Sequence, residues 1–359
     1  MKILQKSSAH PQITPLEMKT VAFIYTELQK FIFKTITERK IESIPVIYPS
    51  HRKEIPDSDG DYIPIITSDQ NLTIHKSRAL AKETTSVVER VTSGKPFELW
   101  LASCDTPIGQ ILINHKNCKR TVLLEDGIGS YIKHAPLDID KGIRNFSRKI
   151  KYFTYLFPNY RSIYGIGSHA ADEYWALHES AFPRAGVKSL IIPIDRFKEK
   201  IPTSNVLIEA NKRSVVYLDQ PLTRLNLSAG SIASTIKGHI NKLESEHTIK
   251  NYFLKKHPVS TPKELDSLVR IFKNATDATI EIIDSSASAE SMSMSTAFNP
   301  IEVFSFLSSA LYTIKSLRPD INVKGVVNGE IIKTAPYIKK YIESLSKIGI
   351  SVIVYDKKN

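Results

Sequence analysis

The chain has few cysteines, no long hydrophobic run and no recognisable secretory leader. Cys104 and Cys118 are its only cysteines, too few for a disulfide framework, so both are expected to be reduced thiols. No segment approaches the roughly 18 apolar residues of a membrane-spanning helix, and residues 1–7 precede no apolar stretch typical of secretory signals. These absences predict a cytoplasmic protein, either free in solution or peripheral at the inner membrane.

Metal-binding and phosphate-binding motifs are also missing. Residues 57–61 (DSDGD) resemble the start of a calcium loop, but Ser68 occupies the twelfth position, where such loops have glutamate. Asp138 and Asp140 form an Asp-x-Asp pattern, but they lie in a proline-containing loop that follows no strand. The sequence contains no Walker lysine loop and no GxGxxG. We therefore expect neither a metal ion nor a bound cofactor.

Net charge is the first positive indication of function. The 49 Lys and Arg residues exceed the 37 Asp and Glu residues, which gives a formal net charge of +12. Such an excess favours acidic substrates, anionic lipid or nucleic acid, although it also serves solubility alone. Nucleic acid is disfavoured because zinc-finger spacing, an RNP-like strand and a densely basic helix are all missing. Residues 141–151 (KGIRNFSRKIK) indicate either contact with an anionic membrane or an ordinary amphipathic helix.

Apolar runs alternate with helical patterns along most of the chain, which predicts an α/β fold. In the first half, the predicted strands cover residues 21–25, 44–48, 97–102, 120–124, 162–166 and 189–192. Loops are predicted over residues 49–74, and a linker over residues 195–210. In the second half, the predicted strands cover residues 215–218, 249–254, 278–283, 303–306, 323–327 and 350–355. We predict two Rossmann-type parallel-sheet domains, residues 1–200 and 201–359, facing a central cleft.

Two adjacent carboxylates and a glycine follow a predicted strand in the first half. Glu125, Asp126 and Gly127 come directly after the predicted strand residues 121–124 (TVLL). One carboxylate can face the cleft while the other fixes the turn, and the glycine permits a positive φ or a close approach. A carboxylate among apolar neighbours at a strand end has a raised pKa and can serve as a general base. The alternative is an acidic turn without a catalytic role.

His257 and Pro258 follow a predicted strand that ends in two lysines. The proline restrains His257 to an extended backbone, and the lysines favour an anion nearby, so the imidazole can donate to a departing phosphate. A surface loop is the alternative interpretation. The other copy of this dipeptide, His10-Pro11, has neither a strand nor lysines before it, and we expect it to be inert.

Serine and glutamate residues in the second half suggest an anion site and a ribose contact. Ser308 and Ser309 lie between a predicted strand and a predicted helix, where hydroxyls and free backbone N–H groups bind phosphate; ordinary helix capping is the alternative, and the two roles are compatible. Glu290 lies near another predicted helix start. It can accept hydrogen bonds from ribose hydroxyls, or it can simply be a first-turn glutamate favoured by the helix dipole.

The order of these motifs resembles the bacterial sialyltransferases of the GT-B fold, which include lipooligosaccharide and O-antigen sialyltransferases and capsule polysialyltransferases. The resemblance extends from about residue 97 to the C-terminus. It is carried by LLEDGIGSYI (123–132), VVYLDQPL (215–222), KKHP (255–258) and FSFLSSALYTI (304–314).

The resemblance implies an N-terminal acceptor-side domain and a C-terminal domain that binds a CMP-sugar. It implies that Glu125 is the catalytic base, supported by Asp126 and Gly127. It also implies that His257, Ser308 and Ser309 hold the donor phosphate. The residues implied to contact the nucleotide are Glu290, Pro258 and Gln220. The implied reaction is a metal-independent, inverting transfer of sialic acid from CMP-sialic acid.

The acceptor is left open by the sequence. We favour the terminal sugar of a bacterial surface glycan or glycolipid, of the lipooligosaccharide or O-antigen type. A polysialyltransferase that elongates a capsular polymer is the alternative, and the net charge of +12 suits a polyanion. Transfer of another CMP-activated acidic sugar is also open. The non-enzymatic alternative is a polyanion-binding protein, which predicts salt-sensitive binding without release of CMP.

Overall fold

A computed structural model describes most of the chain. The described residues are 18–37, 44–49, 62–65, 74–102, 104, 106–131, 161, 171–183, 188–202, 213–220, 228–257, 260–283, 287–334 and 337–355. They form two parallel sheets with helices between the strands, which confirms the predicted α/β class.

The first sheet has seven strands in the order β3-β2-β1-β4-β5-β6-β7. The strands are β1 (Lys19–Phe23), β2 (Val46–Pro49), β3 (Tyr62–Ile65), β4 (Phe97–Leu101), β5 (Cys118–Leu124), β6 (Glu173–Ala176) and β7 (Leu190–Ile191). The connecting helices are α1 (Glu27–Ile36), α2 (Ile74–Thr92), α3 (Pro107–Ile113), a 3₁₀ helix (Gly127–Tyr131) and α4 (Ile194–Lys200). At the end of β5, the consecutive residues Val122, Leu123 and Leu124 are all buried, as expected for a parallel strand covered on both faces.

The second sheet has six strands in the order β10-β9-β8-β11-β12-β13. The strands are β8 (Ser214–Leu218), β9 (Asn251–Lys255), β10 (Thr279–Ile283), β11 (Glu302–Ser305), β12 (Val323–Asn328) and β13 (Ser351–Tyr355). The helices are α5 (Ala229–Glu246), α6 (Pro262–Lys273), α7 (Ala289–Ser293), α8 (Ser309–Leu317), α9 (Gly329–Thr334) and α10 (Tyr337–Lys347). This strand order is that of a doubly wound Rossmann sheet, whose switch point lies between β8 and β11. There, the Ser305 hydroxyl donates to the Leu218 carbonyl at 2.7 Å.

The two halves of the chain pack against each other around the 3₁₀ helix that follows β5. This 3₁₀ helix contacts both α8 and α10 of the second half, and α4 bridges α1 and α8. The carboxyl end of β5 is therefore held close to the first turn of α8.

Three sequence predictions for the first half need correction. Residues 49–74, predicted as loops, contain β3, an edge strand that includes Pro64; proline disfavours a strand prediction but is tolerated at a sheet edge. β6 was not predicted, since four residues carry little periodicity. The predicted linker 195–210 begins inside α4, where Phe197 is the one buried residue of the helix, so the helical pattern is weak. The predicted strand 162–166 lies outside the described residues.

Candidate active site

Four of the predicted site residues follow adjacent strands of the second sheet. Gln220, His257 and Ser308 come after the carboxyl ends of β8, β9 and β11, and Glu290 comes after β10. These strands are consecutive in the order β10-β9-β8-β11 and all run parallel. The four residues therefore lie along one edge of the sheet, around the switch point where doubly wound sheets bind ligands.

The serine pair forms the start of α8. Ser308 is the N-cap, and its hydroxyl accepts a hydrogen bond from the backbone N–H of Ala310 at 3.3 Å. Ser309 is the first helical residue and is half-buried. Leu307, directly before the pair, has φ of +150°, a backbone conformation that is costly for a residue other than glycine. The capping prediction is confirmed, and the first backbone N–H groups of the helix point towards this edge.

His257 is held at the end of β9 through its backbone. Its N–H donates to a carboxylate oxygen of Asp219 at 3.5 Å, and its carbonyl accepts from the N–H of Ser260 at 3.0 Å. Asp219, at the end of β8, also donates its own N–H to the Lys255 carbonyl at 3.0 Å. Burial raises the pKa of Asp219, partly offset by the nearby Ser260 side chain and by the backbone N–H groups of His257 and Gln220. Asp219 thus fastens the His257 turn to the neighbouring strand.

Glu290 lies in the first turn of α7 and is buried. Burial raises the pKa of Glu290, while the positive charge of Lys255 lowers it. The N-cap of α7 is Ser288, whose hydroxyl accepts from the N–H of Ser291 at 3.1 Å. The Ser291 hydroxyl in turn donates to the carbonyl of Pro202, which anchors the short helix. The carboxylate is therefore held beside a lysine of β9.

Gln220 is half-buried, and its side-chain oxygen is buried without a hydrogen-bond partner among the described residues. An amide oxygen without a partner in such a place is available to a polar ligand, because leaving it unsatisfied is unfavourable. Pro258 lies outside the described residues.

Glu125 lies directly after β5 and is fully buried. One carboxylate oxygen, Oε2, accepts hydrogen bonds from the Tyr131 hydroxyl and from the N–H of Leu177, both at 2.7 Å. The other oxygen, Oε1, is buried without a partner in the described part of the chain. Burial raises the pKa of Glu125 to about 8, partly offset by the bonds from Leu177 and Tyr131, with Asp126 raising it further. When ionised, this carboxylate is a stronger base than that of an ordinary glutamate, although most of it is protonated at neutral pH.

Asp126 points the other way and is exposed. Its carboxylate accepts from the Gln29 side-chain amide at 2.6 Å, and its N–H donates to the Ser130 hydroxyl at 2.8 Å. Gln29 is buried and forms a capping box with Thr26 at the start of α1. Asp126 thus fixes the turn, as expected for one of the two carboxylates. Glu125, however, faces a buried interface between the two halves.

Gly127 brings the acidic turn into contact with the serine pair. It has φ of +61°, and a Cβ placed on it would lie 2.7 Å from the Cβ of Ser309. The position therefore needs glycine both for its backbone conformation and for its close approach to the helix start.

Tyr131 and Tyr312 complete the contact between the halves. Their hydroxyls are hydrogen-bonded to each other, and their rings pack edge to face with centroids 4.8 Å apart. The Tyr131 carbonyl also accepts from the Ser344 hydroxyl of α10 at 3.3 Å. Burial raises the pKa of both phenols, and the nearby Glu125 charge raises them further. Both hydroxyls therefore keep their protons at physiological pH.

Two absences were found among the described residues. No group of three or more His, Cys, Asp or Glu side chains is arranged to hold a metal ion there, and no helix there has the length and hydropathy needed to cross a membrane. The Asp-x-Asp residues Asp138 and Asp140 and the calcium-like segment 57–61 lie outside these residues.

Comparison with known proteins identifies the family. The model of the alpha-2,8-polysialyltransferase (POLYST) family matches residues 53–327 of the 359-residue chain. The chain belongs to the alpha-2,8-polysialyltransferase family. The match includes the acidic turn, the His257 turn and the serine pair. It confirms the predicted resemblance to bacterial sialyltransferases and polysialyltransferases and makes the chain a glycosyltransferase. A search of curated proteins finds no match to this polysialyltransferase family member.

Solved structures agree with the fold of this polysialyltransferase family member. A putative UDP-N-acetylglucosamine 2-epimerase from Listeria monocytogenes superposes with a TM-score of 0.53 at 11% identity, covering 92% of this chain and 88% of the epimerase. UDP-GlcNAc 2-epimerase from Methanocaldococcus jannaschii gives 0.52 at 10% identity, covering 94% and 89%. At these identities the similarity shows the fold alone. The predicted GT-B-like fold of two Rossmann-type domains is confirmed.

Several residues of the candidate site were not predicted. Tyr131 and Tyr312 lie within the segments that carry the family resemblance, and so does Asp219, but none was assigned a role. The 3₁₀ turn places Tyr131 back over Glu125, a contact that six residues of separation do not reveal. Gln29 precedes Asp126 by 97 positions, and no local pattern predicts that pairing.

Proposed function

We propose that the chain is an inverting sialyltransferase that moves sialic acid from CMP-sialic acid to a glycan without a metal ion. The observation that carries this proposal is the contact between Gly127 and Ser309. It supports a single site, because it brings the buried carboxylate at the end of β5 next to the anion-binding start of α8.

Glu125 is the proposed base. Its Oε1 atom lacks a partner among the described residues, which leaves an acceptor site for the proton of an incoming hydroxyl. A pKa of about 8 provides base strength near physiological pH. Loss of CMP from sialic acid develops oxocarbenium-like character, so the acceptor needs little activation. As the acceptor attacks from the face opposite CMP, Glu125 takes the hydroxyl proton, and the anomeric configuration inverts.

The leaving phosphate is proposed to lie at the carboxyl edge of the second sheet. As the bond to CMP breaks, negative charge grows on the phosphate. His257, the hydroxyls of Ser308 and Ser309 and the backbone N–H of Ser309 at the start of α8 are proposed to stabilise that charge, each donor contributing roughly 2–4 kcal/mol by analogy with oxyanion sites. Helix α8 has nine residues, and its dipole favours the anion at this end.

The nucleotide is proposed to contact the residues that flank the phosphate. The Glu290 carboxylate suits the ribose hydroxyls. The side-chain oxygen of Gln220, which has no partner within the described part of the chain, suits an amino donor such as that of cytosine. Pro258 is included from the resemblance alone.

We propose two candidate classes of acceptor. The sequence favours a neutral terminal sugar of a lipooligosaccharide or O-antigen glycan, presented at the cytoplasmic face of the inner membrane. The family match favours the second candidate, elongation of a sialic acid polymer. The net charge of +12 suits that candidate, because a polyanionic acceptor needs a basic surface.

The experiment measures transfer from CMP-sialic acid to a panel of neutral galactosides and sialyl oligomers in the presence of EDTA. The release of CMP gives the rate, and NMR of the product gives the anomeric configuration. We expect release that depends on acceptor and is unaffected by EDTA, with inverted anomeric configuration. His257→Ala should lower the rate about 100-fold, whereas the control His10→Ala should retain it. Salt-sensitive binding of polyanions without CMP release would indicate the non-enzymatic alternative.

A further inference from the structure

A chain of hydroxyl groups connects the buried carboxylate of the first half to the helix α8 of the second. Tyr131 reaches Glu125 Oε2 at 2.7 Å, and its hydroxyl also contacts that of Tyr312. Tyr131 belongs to the 3₁₀ helix after β5, and Tyr312 belongs to α8. The contact therefore crosses between the two halves of the molecule.

The number of available protons determines the direction of the hydrogen bonds between these groups. A phenol has one proton to donate, and when Glu125 is ionised the proton of Tyr131 goes to the carboxylate. The hydrogen bond between the two phenols must then use the proton of Tyr312. The order of donation is from Tyr312 to Tyr131 and from Tyr131 to Glu125.

The position of Tyr312 on α8 connects these hydrogen bonds to the serine pair. It lies three residues after Ser309 and four after Ser308, and residues at these spacings share one face of a helix. The face of α8 that begins with the serines is thus the face that contacts Tyr131. The Ser344 hydroxyl on the Tyr131 carbonyl and the packing of Gly127 on Ser309 hold the same junction.

We propose that Tyr131 and Tyr312 are positioning residues that couple the orientation of the Glu125 carboxylate to the docking of α8. The proposal rests on the proposed function of Glu125 as base. While α8 is docked, the two phenols hold Oε2 and leave Oε1 as the oxygen without a partner among the described residues. If α8 moves away, Tyr131 loses its hydrogen bond with Tyr312, and the charge-assisted hydrogen bond from Tyr131 to the carboxylate is less firmly oriented. A donor phosphate bound at Ser308 and Ser309 favours the docked position and thereby the oriented base.

The groups facing Glu125 come from several elements. Asp126 on its own turn disfavours the carboxylate charge, whereas Tyr131 on the 3₁₀ helix and the N–H of Leu177 after β6 favour it. Tyr312 on α8 is close enough for the Glu125 charge to raise its pKa. The Tyr131 hydroxyl is therefore one of two donors to the carboxylate in the part of the chain that the structure describes, and its removal should raise the pKa of Glu125.

The test compares Tyr131→Phe and Tyr312→Phe in the full-length enzyme, with the rate of transfer from CMP-sialic acid measured from pH 6 to pH 10. Tyr131→Phe should lower kcat near neutral pH by about 10- to 100-fold and move the acid limb of the profile up by about one pH unit. Tyr312→Phe should also move the acid limb of the profile to higher pH, but by a smaller amount. Part of the loss should be recovered at high pH, where the carboxylate ionises despite the missing donor.

Tyr252→Phe is the matched control. Its buried phenol donates to Glu244 at 3.3 Å between β9 and α5, so the variant loses one hydrogen bond remote from Glu125. We expect an unchanged pH profile. If Tyr131→Phe and Tyr312→Phe also keep the wild-type acid limb and lose activity equally at every pH, the tyrosines are merely structural and the proposal is wrong.

A readout independent of activity separates this proposal from the proposed function. In a double-mutant cycle at pH 9, the effects of Tyr131→Phe and Glu125→Gln on the free energy of unfolding should be non-additive. Tyr131→Phe removes a hydrogen-bond donor, and that donor contributes its full strength only when residue 125 is a charged carboxylate. Coupling without any sialyl transfer would overturn the proposed function and leave the hydrogen-bonded coupling standing. Additive effects of the two variants would overturn the coupling, whether or not transfer occurs.

Discussion

Gly127 of the acidic turn and Ser309 of helix α8 approach so closely that a Cβ at residue 127 would lie 2.7 Å from the Cβ of Ser309. Gly127 follows β5 of the first sheet, and Ser309 follows β11 of the second. The two motifs therefore meet directly, although 182 positions separate them in the sequence. A site assembled from both halves depends on this approach.

Gly127→Ala should damage both stability and activity. The added methyl group meets the side chain of Ser309, and alanine is strained at φ of +61°. We expect a loss of about 2–3 kcal/mol in the free energy of unfolding and at least a tenfold loss of transfer rate, because α8 must move. Chemical denaturation and initial rates measure the two effects.

Gly94→Ala is the control for this substitution. Gly94 has a similar φ of +69°, but a Cβ there meets nothing within 4 Å. The variant should lose about 1 kcal/mol for backbone strain alone and keep its transfer rate. Equal losses of rate in both variants would mean that the contact with Ser309 does not matter.

The pH dependence of transfer should follow the ionisation of Glu125. Burial raises the pKa of Glu125 to about 8, and a base must be ionised to act, so kcat/KM should rise with pH. About one tenth of the carboxylate is ionised at pH 7, which predicts about a tenfold increase between pH 7 and pH 9. The measurement is kcat/KM for the donor across this range. A profile that is flat above pH 6 would assign the base to another group.

Glu125→Gln should stabilise the protein at high pH. The folded pKa of Glu125 is about 8 against an ordinary value of 4.5. Its contribution to stability is therefore full below about pH 4.5 and is lost as the pH rises through about 8. A neutral glutamine avoids this loss, so the variant should gain a few kcal/mol over wild type by pH 9, at ~1.4 kcal/mol per pH unit of the pKa difference. Denaturation at several pH values measures the difference.

Glu302→Gln should have the opposite effect on stability. Glu302 is also fully buried, but it is paired with His239 at 2.6 Å and Lys324 at 2.9 Å. Burial acts to raise the pKa of Glu302, and these two partners lower it overall. Neutralising the carboxylate should therefore cost about 3 kcal/mol at pH 7. Glu302 is the first residue of β11, and Ser308 follows the other end of the same strand. The substitution should therefore leave kcat/KM unchanged. A variant as stable as wild type at pH 7 would contradict the pairing.

The sequence predicts the elements of this fold better than it predicts their contacts. Apolar runs such as residues 122–124 mark buried parallel strands, and the order of motifs indicates the family. Two short strands were missed, because β3 is an edge strand that contains Pro64 and β6 has only four residues. Site residues at strand ends were also predictable, since parallel strands bring their carboxyl ends to one edge.

The contacts between the two halves of the site could not be predicted from the sequence. The pairings of Tyr131 with Tyr312 and of Gln29 with Asp126 depend on how the two halves and α1 pack, which no periodicity encodes. The sequence predicts that one of the two adjacent carboxylates points inwards. The structure identifies it as Glu125, and in doing so exposes the partners that set its pKa.

The most direct test of the central claim is the initial rate of sialic acid transfer from CMP-sialic acid by Glu125→Gln at pH 8. The substitution keeps the size of the side chain and removes its ability to take a proton. The account predicts a rate about 10²- to 10⁴-fold below wild type, in a protein that remains folded and binds the donor. A folded Glu125→Gln variant whose rate stays within a few-fold of wild type would contradict it.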